Sequence, residues 1–430
     1  MQFILSLLTV FTFATYLSSC SDDAEDDLRA KSQPNILLII ADDLGKDALS
    51  GFTEGTVKAN TPNLDAIRND GLTFTNLWVN PTCTPTRAAI ITGKYGYRTG
   101  VKGVGDILDQ SDVILQKYIS DNTDEAYATA IVGKWHLSGN NNTVNPESFG
   151  MDYYAGLIRG AVDNYYQWQL TESGVSNLET SYVTEKLTDL SIDWVNEQTK
   201  PWFLWLAYNA PHTPFHVPPG DTHSQGNLPE YTNGLDPIPY YMAAIESMDY
   251  HIGRLLESMP EKDRENTVII FLGDNGAPNQ VAQEPYGSGK VKNTLYQGGV
   301  NTPLYISGPG VTRSGTDDNL ITATDLFATI AGIAGVATED IYDSQSFKSL
   351  LSQTTTLRDY QYAEFNDDVT DQWTIRNDTY KLIVIDGGGE EMYNLVDDPY
   401  ELSDLLKGQL SAEETSAKSA LELELNNIRQ

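Results

Sequence analysis

Four short, strongly apolar segments, each followed directly by polar residues, constrain the fold more than any other feature of this chain. They are residues 35–40, 129–132, 202–208 and 267–272, and helix-like segments separate them. Each has the length and composition of a buried strand, and alternation with helices predicts an α/β fold with a mainly parallel sheet. At 430 residues, the chain is long enough for one large domain and a smaller one.

Chemically reactive side chains lie just beyond these predicted strands. In an open parallel sheet the carboxyl ends of the strands meet at one edge, where ligands bind, so we expect one cleft there. Loops are polar in most proteins, which is the alternative explanation for any one of these segments. Four segments that all end in acids, amides, lysine or histidine favour a shared site. Its candidate residues are Asp42, Asp43, Lys134, His136, His212, Asp274 and Asn275.

A cysteine begins a second candidate element, Cys83-Thr84-Pro85-Thr86-Arg87, which runs into a segment rich in Ala and Ile. Pro85 suits the first turn of a helix, and Cys83 would then lie at the helix N-terminus. Backbone N–H groups and the helix dipole favour an anion at that place. The alternative is a buried structural cysteine, but Arg87, one turn further on, argues against a wholly apolar environment.

The character of the chain changes after about residue 355. Residues 372–376, 381–385 and 391–395 have strand-like composition and are joined by turns. They predict a small antiparallel sheet. Residues 411–428 are rich in Ala, Glu, Leu and Lys and predict a closing helix.

The first 20 residues resemble the signal of a bacterial lipoprotein. Residues 3–17 form an apolar run too short to span a bilayer securely, which is typical of a signal peptide. Leu17-Ser18-Ser19-Cys20 resembles the lipobox, although no Lys or Arg precedes the apolar run. We predict an exported protein held to a membrane by lipid on Cys20. Its place would be the outer membrane or cell surface of a gram-negative bacterium, with the periplasm as the alternative.

The segment after Cys20 is strongly acidic over residues 22–27. It is either a solvated linker or, by resemblance, a surface-export signal of gram-negative lipoproteins. Cys20 and Cys83 are the two cysteines of the chain. A disulfide between them is possible in an exported protein, but each lies in its own motif. The predicted organisation is a signal peptide over 1–19, a tether over 20–33, a catalytic domain over 34–355 and an α+β subdomain over 356–430.

The charge balance bears on the partners of the protein. The chain has 27 Lys and Arg residues against 60 Asp and Glu, a formal net charge of -33. This argues against nucleic acid as a partner, because binding the phosphate backbone needs a basic surface. An anionic substrate would need a site that is positive locally while the remaining surface is negative.

The five residues from Cys83 to Arg87, with Thr92-Gly93 after them, resemble the signature of the formylglycine-dependent sulfatase family. That family is part of the alkaline-phosphatase-like superfamily, and the resemblance extends over roughly residues 34–405. Other motifs of the family are present along the chain in the expected order. They are Asp42-Asp43, Thr61-Pro62-Asn63-Leu64-Asp65, Gly133-Lys134-Trp135-His136-Leu137, Ala210-Pro211-His212, Met248-Asp249 with Ile252-Gly253-Arg254, Gly273-Asp274-Asn275-Gly276, Lys292-Asn293-Thr294 before Gly298-Gly299, and Tyr393-Asn394-Leu395 with Asp398-Pro399.

The resemblance implies a mechanism. A maturation enzyme would oxidise Cys83 to formylglycine, whose hydrate has two hydroxyl groups on one carbon. One hydroxyl attacks sulfur and displaces the alcohol, and the other then loses its proton and expels sulfate. The resemblance also implies one Ca²⁺ per chain, held by oxygen ligands, which suit Ca²⁺ or Mg²⁺. The implied metal ligands are Asp42, Asp43, the modified Cys83, Asp274 and Asn275.

The remaining roles follow from the same resemblance. Arg87 would hold the formylglycine, while Lys134 and Lys292 would bind sulfate oxygens. His136 would act as base on the hydrate, and His212 would help to protonate the leaving oxygen. The implied substrate is a sulfated carbohydrate, which in an exported lipoprotein suggests an extracellular polysaccharide of the algal type.

Three residues depart from the family pattern, and two other functions stay open. Thr86 stands where Ser is common, Gln297 replaces an acidic residue, and Asn301 replaces a frequent Arg. His216 could contact substrate or pack within a loop. One alternative function is a phosphatase or phosphonate hydrolase of the same superfamily. The other is a non-catalytic, glycan-binding lipoprotein.

Overall fold

The computed structural model describes residues 33–140, 144–337, 340–367 and 369–430. The predicted signal peptide, Cys20 and nearly all of the predicted tether lie outside these residues, so the lipid anchor stays a prediction. Among the described residues, no helix is both long enough and apolar enough to cross a bilayer. The helices are α1 (Pro62–Asn69), α2 (Cys83–Thr92), α3 (Gly96–Thr99), α4 (Leu115–Asn122), α5 (Val183–Asn196), α6 (Ile238–Ser258), α7 (Glu261–Glu265), α8 (Gln297–Val300), α9 (Asp325–Ile333) and α10 (Ala412–Ile428).

The strands form one large sheet, one four-stranded sheet and a short two-stranded ribbon. Their bounds are β1 (Asn35–Asp42), β2 (Leu72–Trp78), β3 (Ala128–Lys134), β4 (Tyr153–Leu157), β5 (Trp168–Glu172), β6 (Val175–Glu179), β7 (Trp202–Pro211), β8 (Thr267–Gly273), β9 (Asn301–Ser307), β10 (Gly315–Asp317), β11 (Ile321–Thr322), β12 (Asp340–Ile341), β13 (Ser344–Gln345), β14 (Gln361–Asn366), β15 (Asp371–Arg376), β16 (Tyr380–Ile385) and β17 (Glu390–Asn394).

The large sheet confirms the predicted α/β fold. Its strand order is β10-β2-β9-β8-β1-β7-β3-β4-β5-β6, with β11 also paired to β2. The central strands β8, β1, β7, β3 and β4 are all parallel to one another. Strand β9 runs antiparallel to both of its neighbours, and β5 and β6 form an antiparallel hairpin. The sheet is therefore mixed but mainly parallel at its centre.

The central strands are apolar along their whole length because both faces of the sheet are covered. In β1, Ile36, Leu38 and Ile40 pack into the core on one face. Leu37 and Ile39, which alternate with them, pack into the core on the other face. Helices α2, α4 and α9 contribute apolar side chains to the first core, and α1, α5 and α6 contribute to the second. This burial on two sides is why the strands lack the polar alternation of a half-exposed sheet.

The C-terminal part forms the predicted antiparallel sheet, in the order β14-β15-β16-β17. Strand β14 was not predicted from the sequence. The predicted closing helix is confirmed as α10, and Ser411 and Glu414 form a reciprocal capping box at its start. Trp78 and Val300 of the main sheet region share a core with Phe365 and Ile383 of the small sheet. The two sheets are therefore joined by apolar contacts.

One buried carboxylate joins two helices of the second core. Thr61, the N-cap residue of α1, makes no side-chain hydrogen bond to its own helix. Asp249 of α6 accepts hydrogen bonds from the backbone N–H of Asn63 at 3.1 Å and of Leu64 at 2.7 Å. The side chain of a distant helix thus supplies the cap that the local sequence does not.

We expect Asp249→Ala to lower the free energy of unfolding by about 1–3 kcal/mol, because it leaves buried N–H donors of α1 unpaired. Denaturant unfolding would show this as a lower midpoint with an unchanged slope. Thr61→Ala is the matched control, because the Thr61 hydroxyl has no hydrogen-bond partner within the described residues. Equal losses in both variants would contradict this account of the cap.

Candidate active site

The carboxyl ends of four parallel strands bring the predicted residues to one edge of the sheet. Strand β1 ends at Asp42, β3 at Lys134, β7 at Pro211 and β8 at Gly273. Their registers are matched, since Ala41 pairs with Gly273 and Asp42 with Pro211. The residues just after each strand therefore converge, although they are far apart in sequence.

Cys83 is the first residue of α2, as the sequence predicts, and only 2% of it is exposed. Its Sγ lies 3.2 Å from Nδ1 of His136, and it is a free cysteine. Burial raises the pKa of the thiol, but Lys134, Lys292 and Arg87 together shift the net pKa below its ordinary value. The environment at this position thus favours an anion.

Three carboxylates of the site each form an ion pair with a different cation. Lys134 Nζ lies 2.6 Å from Asp42 Oδ2, and both side chains are buried. The other two pairs bridge different parts of the chain. They are Lys292 with Asp43 at 2.5 Å and Arg87 with Asp274 at 2.7 Å. With three acids matched to three bases, the formal charge of this cluster is zero.

These pairs keep the cations protonated despite burial. Burial lowers the pKa of Lys134, Lys292 and Arg87, but the facing carboxylates outweigh it and raise each pKa above its ordinary value. Burial raises the pKa of Asp43, but Lys292 and His212 hold it well below its usual range. Charged groups are thus maintained at the base of the cleft.

Two buried oxygens of the site indicate that a cation fits there. Asp42 Oδ1 and Asn275 Oδ1 have no hydrogen-bond partner within the described residues. Such orphaned acceptors are costly unless a ligand completes them. Ligand atoms of Asp42, Asp43 and His212 lie within 4.8 Å of one another. The oxygen-rich donor set suits a hard cation such as Ca²⁺ or Mg²⁺.

The other predicted metal ligands lie beside this group. Asn275 Nδ2 donates to Asp43 Oδ1 at 2.8 Å, and Asp274 Oδ1 accepts the backbone N–H of Asp43 at 3.1 Å. Asp274 Oδ2 accepts from both Nε and Nη2 of Arg87. The structure thus places Asp42, Asp43, Asp274 and Asn275 together, and their role as ligands stays a prediction.

The two predicted catalytic histidines differ in their surroundings. His136 is buried, and burial together with Lys134 and Arg87 lowers its pKa well below the ordinary value, so its imidazole is neutral. His212 is more open. Its Nδ1 lies 2.6 Å from the carbonyl oxygen of Thr213, and its Nε2 lies 3.7 Å from Asp43 Oδ2. With Nδ1 held by this hydrogen bond, Nε2 faces the carboxylate of Asp43.

Two residues near His136 were not identified from the sequence. Thr84 Oγ1 lies 3.1 Å from His136 Nδ1 and shares that atom with the cysteine. Gly160 lies against the imidazole, since a Cβ there would be 2.1 Å from His136 Cε1. Thr84 occupies the variable position of its motif, and Gly160 belongs to no motif, so only the folded chain reveals them.

His216 packs within its loop in this structure. Its ring stacks on Tyr165 with the centroids 3.7 Å apart, and its Nε2 lies 3.0 Å from the hydroxyl of Tyr182. Gln297 and Asn301, which depart from the family pattern, line a separate cavity. None of the three contacts Cys83 in the described structure.

Two family models match the chain. The model described as "Sulfatase" matches residues 34–336. The model described as "N-sulphoglucosamine sulphohydrolase, C-terminal" matches residues 291–430. The first therefore covers well over half of the chain, including every predicted site residue beyond the N-terminal segment.

Individual proteins show the same likeness. The "Uncharacterized sulfatase YdeN" of Escherichia coli (strain K12) is 28% identical over 377 residues, covering 74% of this chain and 65% of the relative. Human N-acetylgalactosamine-6-sulfatase is 30% identical over 352 residues, covering 71% and 63%. The match thus spans less than two thirds of either relative.

Among solved structures, that of Ps i-CgsB in complex with k-i-k-neocarrahexaose superposes with a TM-score of 0.78 and 25% identity. It covers 92% of this chain and 93% of the other. At one edge of its large sheet the chain has a buried cysteine that begins a helix, three ion-paired carboxylates and two histidines. The chain belongs to the sulfatase family.

Proposed function

We propose that this protein hydrolyses sulfate esters of carbohydrates, with a formylglycine made from Cys83 as nucleophile and Ca²⁺ as its metal. The observation that carries the proposal is the position of Cys83. It begins a buried helix and contacts His136, and the positive charges of Lys134, Lys292 and Arg87 lower the pKa of its thiol. An oxygen nucleophile at this point would therefore have a base beside it and cations around the group that it attacks.

His136 can take a proton from a hydroxyl at position 83. Its Nδ1 is 3.2 Å from Cys83 Sγ, and its lowered pKa leaves the ring neutral and able to accept. Hydrated formylglycine would supply two hydroxyls on one carbon, one to attack sulfur and one whose deprotonation releases sulfate. Gly160 has no side chain and so leaves room for the His136 ring, which a Cβ at this position would displace.

The cations of the site can bind the sulfate group. Lys292 is the most open of the three, with 15% of its side chain exposed, whereas Lys134 and Arg87 are fully buried. Lys292 therefore contacts an entering substrate, and Arg87 holds the helix and strand ends together. A Ca²⁺ held by Asp42, Asp43, Asp274 and Asn275 would supply positive charge against the developing charge on the sulfate oxygens.

The substrate class rests on the relatives. Human N-acetylgalactosamine-6-sulfatase is named for a sulfated sugar, and the Ps i-CgsB structure contains k-i-k-neocarrahexaose. We infer a sulfated oligosaccharide or polysaccharide as the substrate, of the extracellular algal type that the sequence suggests. Among the described residues, one cluster has the spacing of a metal site, which gives no support to a two-zinc phosphatase.

Cys83→Ser should stop the reaction after its first step. A serine can attack sulfur with its one hydroxyl but has no second hydroxyl to expel sulfate. Rapid-quench measurement should show at most about one alcohol released per active site and then no turnover. Mass spectrometry of the wild-type peptide should show an aldehyde at residue 83.

Thr86→Ser is the control within the same motif, because serine retains the hydroxyl that donates to the carbonyl oxygen of Asn80. The Thr86→Ser variant should therefore continue to turn over substrate. Continuous turnover by Cys83→Ser, or an unmodified thiol in a fully active wild-type enzyme, would contradict the formylglycine mechanism.

Calcium should stabilise the wild-type protein against heat. Each tenfold rise in free Ca²⁺ above the dissociation constant should add about 1.4 kcal/mol, because the cation binds the folded state. Asp42→Asn should lose most of this dependence, since it weakens a ligand whose Oδ1 is otherwise unpartnered. Differential scanning calorimetry with and without a chelator measures the effect.

Asp112→Asn is the matched control, because Asp112 forms an ion pair with Lys94 at 2.6 Å outside the site. It should respond to calcium as the wild type does. A melting temperature that is independent of calcium in the wild type would exclude the proposed metal.

His212→Ala should reduce kcat by about 10²–10⁴-fold for a sugar sulfate and far less for 4-nitrophenyl sulfate. A sugar alkoxide needs a proton to leave, whereas a nitrophenolate does not. His216→Ala is the control, because His216 packs on Tyr165 rather than facing Cys83. Equal losses on both substrates in His212→Ala would rule out leaving-group protonation by this residue.

A further inference from the structure

A cavity with both polar and apolar walls lies between the large sheet and the C-terminal sheet. Its volume is about 490 Å³, and none of the residues that line it belongs to the candidate active site. The wall includes β2, the start of β9 and the end of β15. The lining residues that matter below are Lys46, Glu54, Asn76, Gln297, Asn301 and Arg376.

Two cations of this cavity are buried without a carboxylate partner. Among the described residues, the buried lysines and arginines are Lys46, Arg87, Lys134, Arg376 and Lys381. Arg87, Lys134 and Lys381 each form an ion pair with an aspartate or glutamate. Lys46 and Arg376 form none within the described part of the chain, and both face this cavity.

The hydrogen bonds of these two cations go to neutral oxygens. Lys46 is 3% exposed, and its Nζ donates to Thr75 O at 2.5 Å and to Asn301 Oδ1 at 2.7 Å. That leaves one of its three N–H donors without a hydrogen bond, and its Nζ lies 5.1 Å from the centroid of the Phe52 ring. Arg376 is 6% exposed and donates to the carbonyl oxygens of Asn377 and Asp378 and to Asn76 Oδ1.

Nearby carboxylates only partly offset the burial of these two cations. Burial lowers the pKa of Lys46 to about 8; the charge of Glu54 opposes this shift and that of Arg376 adds to it. Burial also lowers the pKa of Arg376 to about 10, against the carboxylates of Asp378 and Glu401. Both groups remain cationic at neutral pH, and buried charge that is only partly compensated is unfavourable. An anion in the cavity would remove that cost.

A buried amide in the same wall also lacks partners. Gln297 is 4% exposed, and neither its Nε2 nor its Oε1 makes a hydrogen bond with any described residue. Buried side-chain amides are normally satisfied, so this one indicates a ligand or solvent that the protein atoms do not provide. Its Nε2 can donate to the same anion as the two cations.

We propose that this cavity is a second, non-catalytic site that binds a sulfate group through Lys46, Arg376 and Gln297. Guanidinium, ammonium and amide N–H groups together suit the several oxygens of a tetrahedral oxyanion. The volume exceeds that of one ion, so a sugar residue bearing the sulfate also fits. We assign sulfate rather than phosphate as the anion because this inference rests on the proposed hydrolysis of sulfate esters. Glu54 also lines the cavity: its Oε1 accepts a hydrogen bond from the hydroxyl of Tyr286, and its charge partly offsets that of Lys46, so we place the anion between Lys46 and Arg376.

The position of the anion can be observed directly. Crystals of the full chain soaked in selenate, a sulfate analogue with an anomalous scatterer, should show a peak between Lys46 and Arg376. Titration calorimetry should detect sulfate binding above a chloride control at equal ionic strength. Glucose 6-sulfate against inorganic sulfate distinguishes a sulfated sugar from the free ion as the preferred ligand. Absence of selenate from the cavity would overturn the proposal.

Gln297→Glu is the sharpest variant, because it places a carboxylate in the wall of the cavity without removing a side-chain hydrogen bond. It should weaken sulfate binding at the cavity by about tenfold or more, because the carboxylate repels the anion. Lys46→Met should weaken the same binding without adding a negative charge. Gln110→Glu, at an exposed position, and Lys117→Met, at a half-buried one, are the matched controls for charge; neither residue lines the cavity, and both variants should leave binding unchanged.

The proposed anion site and the proposed function can each be rejected without the other. Selenate that persists in the cavity of both Gln297→Glu and Lys46→Met would reject the assigned residues. An active sulfatase with an empty cavity would reject this site alone. A cavity that binds selenate in a protein without sulfatase activity would support this site and reject the proposed function.

Discussion

Three buried or nearly buried ion pairs hold the edge of the sheet where four strands end. Arg87 contacts Asp274 after β8 and the carbonyl oxygen of Lys134 in β3, so one side chain ties α2 to two strands. Lys134 in turn pairs with Asp42 of β1. Removing one partner of such a pair leaves an uncompensated buried charge, at a cost of about 3–5 kcal/mol. The position of Cys83 depends on this network, because Cys83 begins the helix that Arg87 anchors.

The same network explains how a very acidic chain can present a site for an anion. The protein carries a formal net charge of -33, yet the charges around Cys83 lower the pKa of its thiol. Lys134, Lys292 and Arg87 lie close to the nucleophile, while much of the acidic excess is distributed over solvated surface, where water and salt screen it. Asp42, Asp43 and Asp274 balance the cations locally, and two free oxygens at their side leave room for a divalent cation.

The second cavity shows the opposite arrangement of charge. There Lys46 and Arg376 are buried and form no ion pair with any residue that the structure describes, whereas the buried cations of the active site each pair with a carboxylate. Asn301 of β9 accepts a hydrogen bond from Lys46, which precedes it by more than 200 residues in the sequence.

The sequence by itself determined the α/β fold, the four strands and the convergence of their ends, because apolar runs and the motifs after them are local properties. It also located Cys83 at a helix start and the closing helix, since Pro85 and the run rich in Ala, Glu, Leu and Lys over residues 411–428 are local signals. Strand β14 and the β5–β6 hairpin were missed, because their short, mixed sequences gain their pairing from neighbouring strands. Only the tertiary structure decided that Asp249 caps α1, that Gly160 lies against His136, and that Gln297 shares a cavity with Lys46 and Arg376. Each of these is a contact between segments far apart in sequence, and such contacts are set by packing rather than by local pattern.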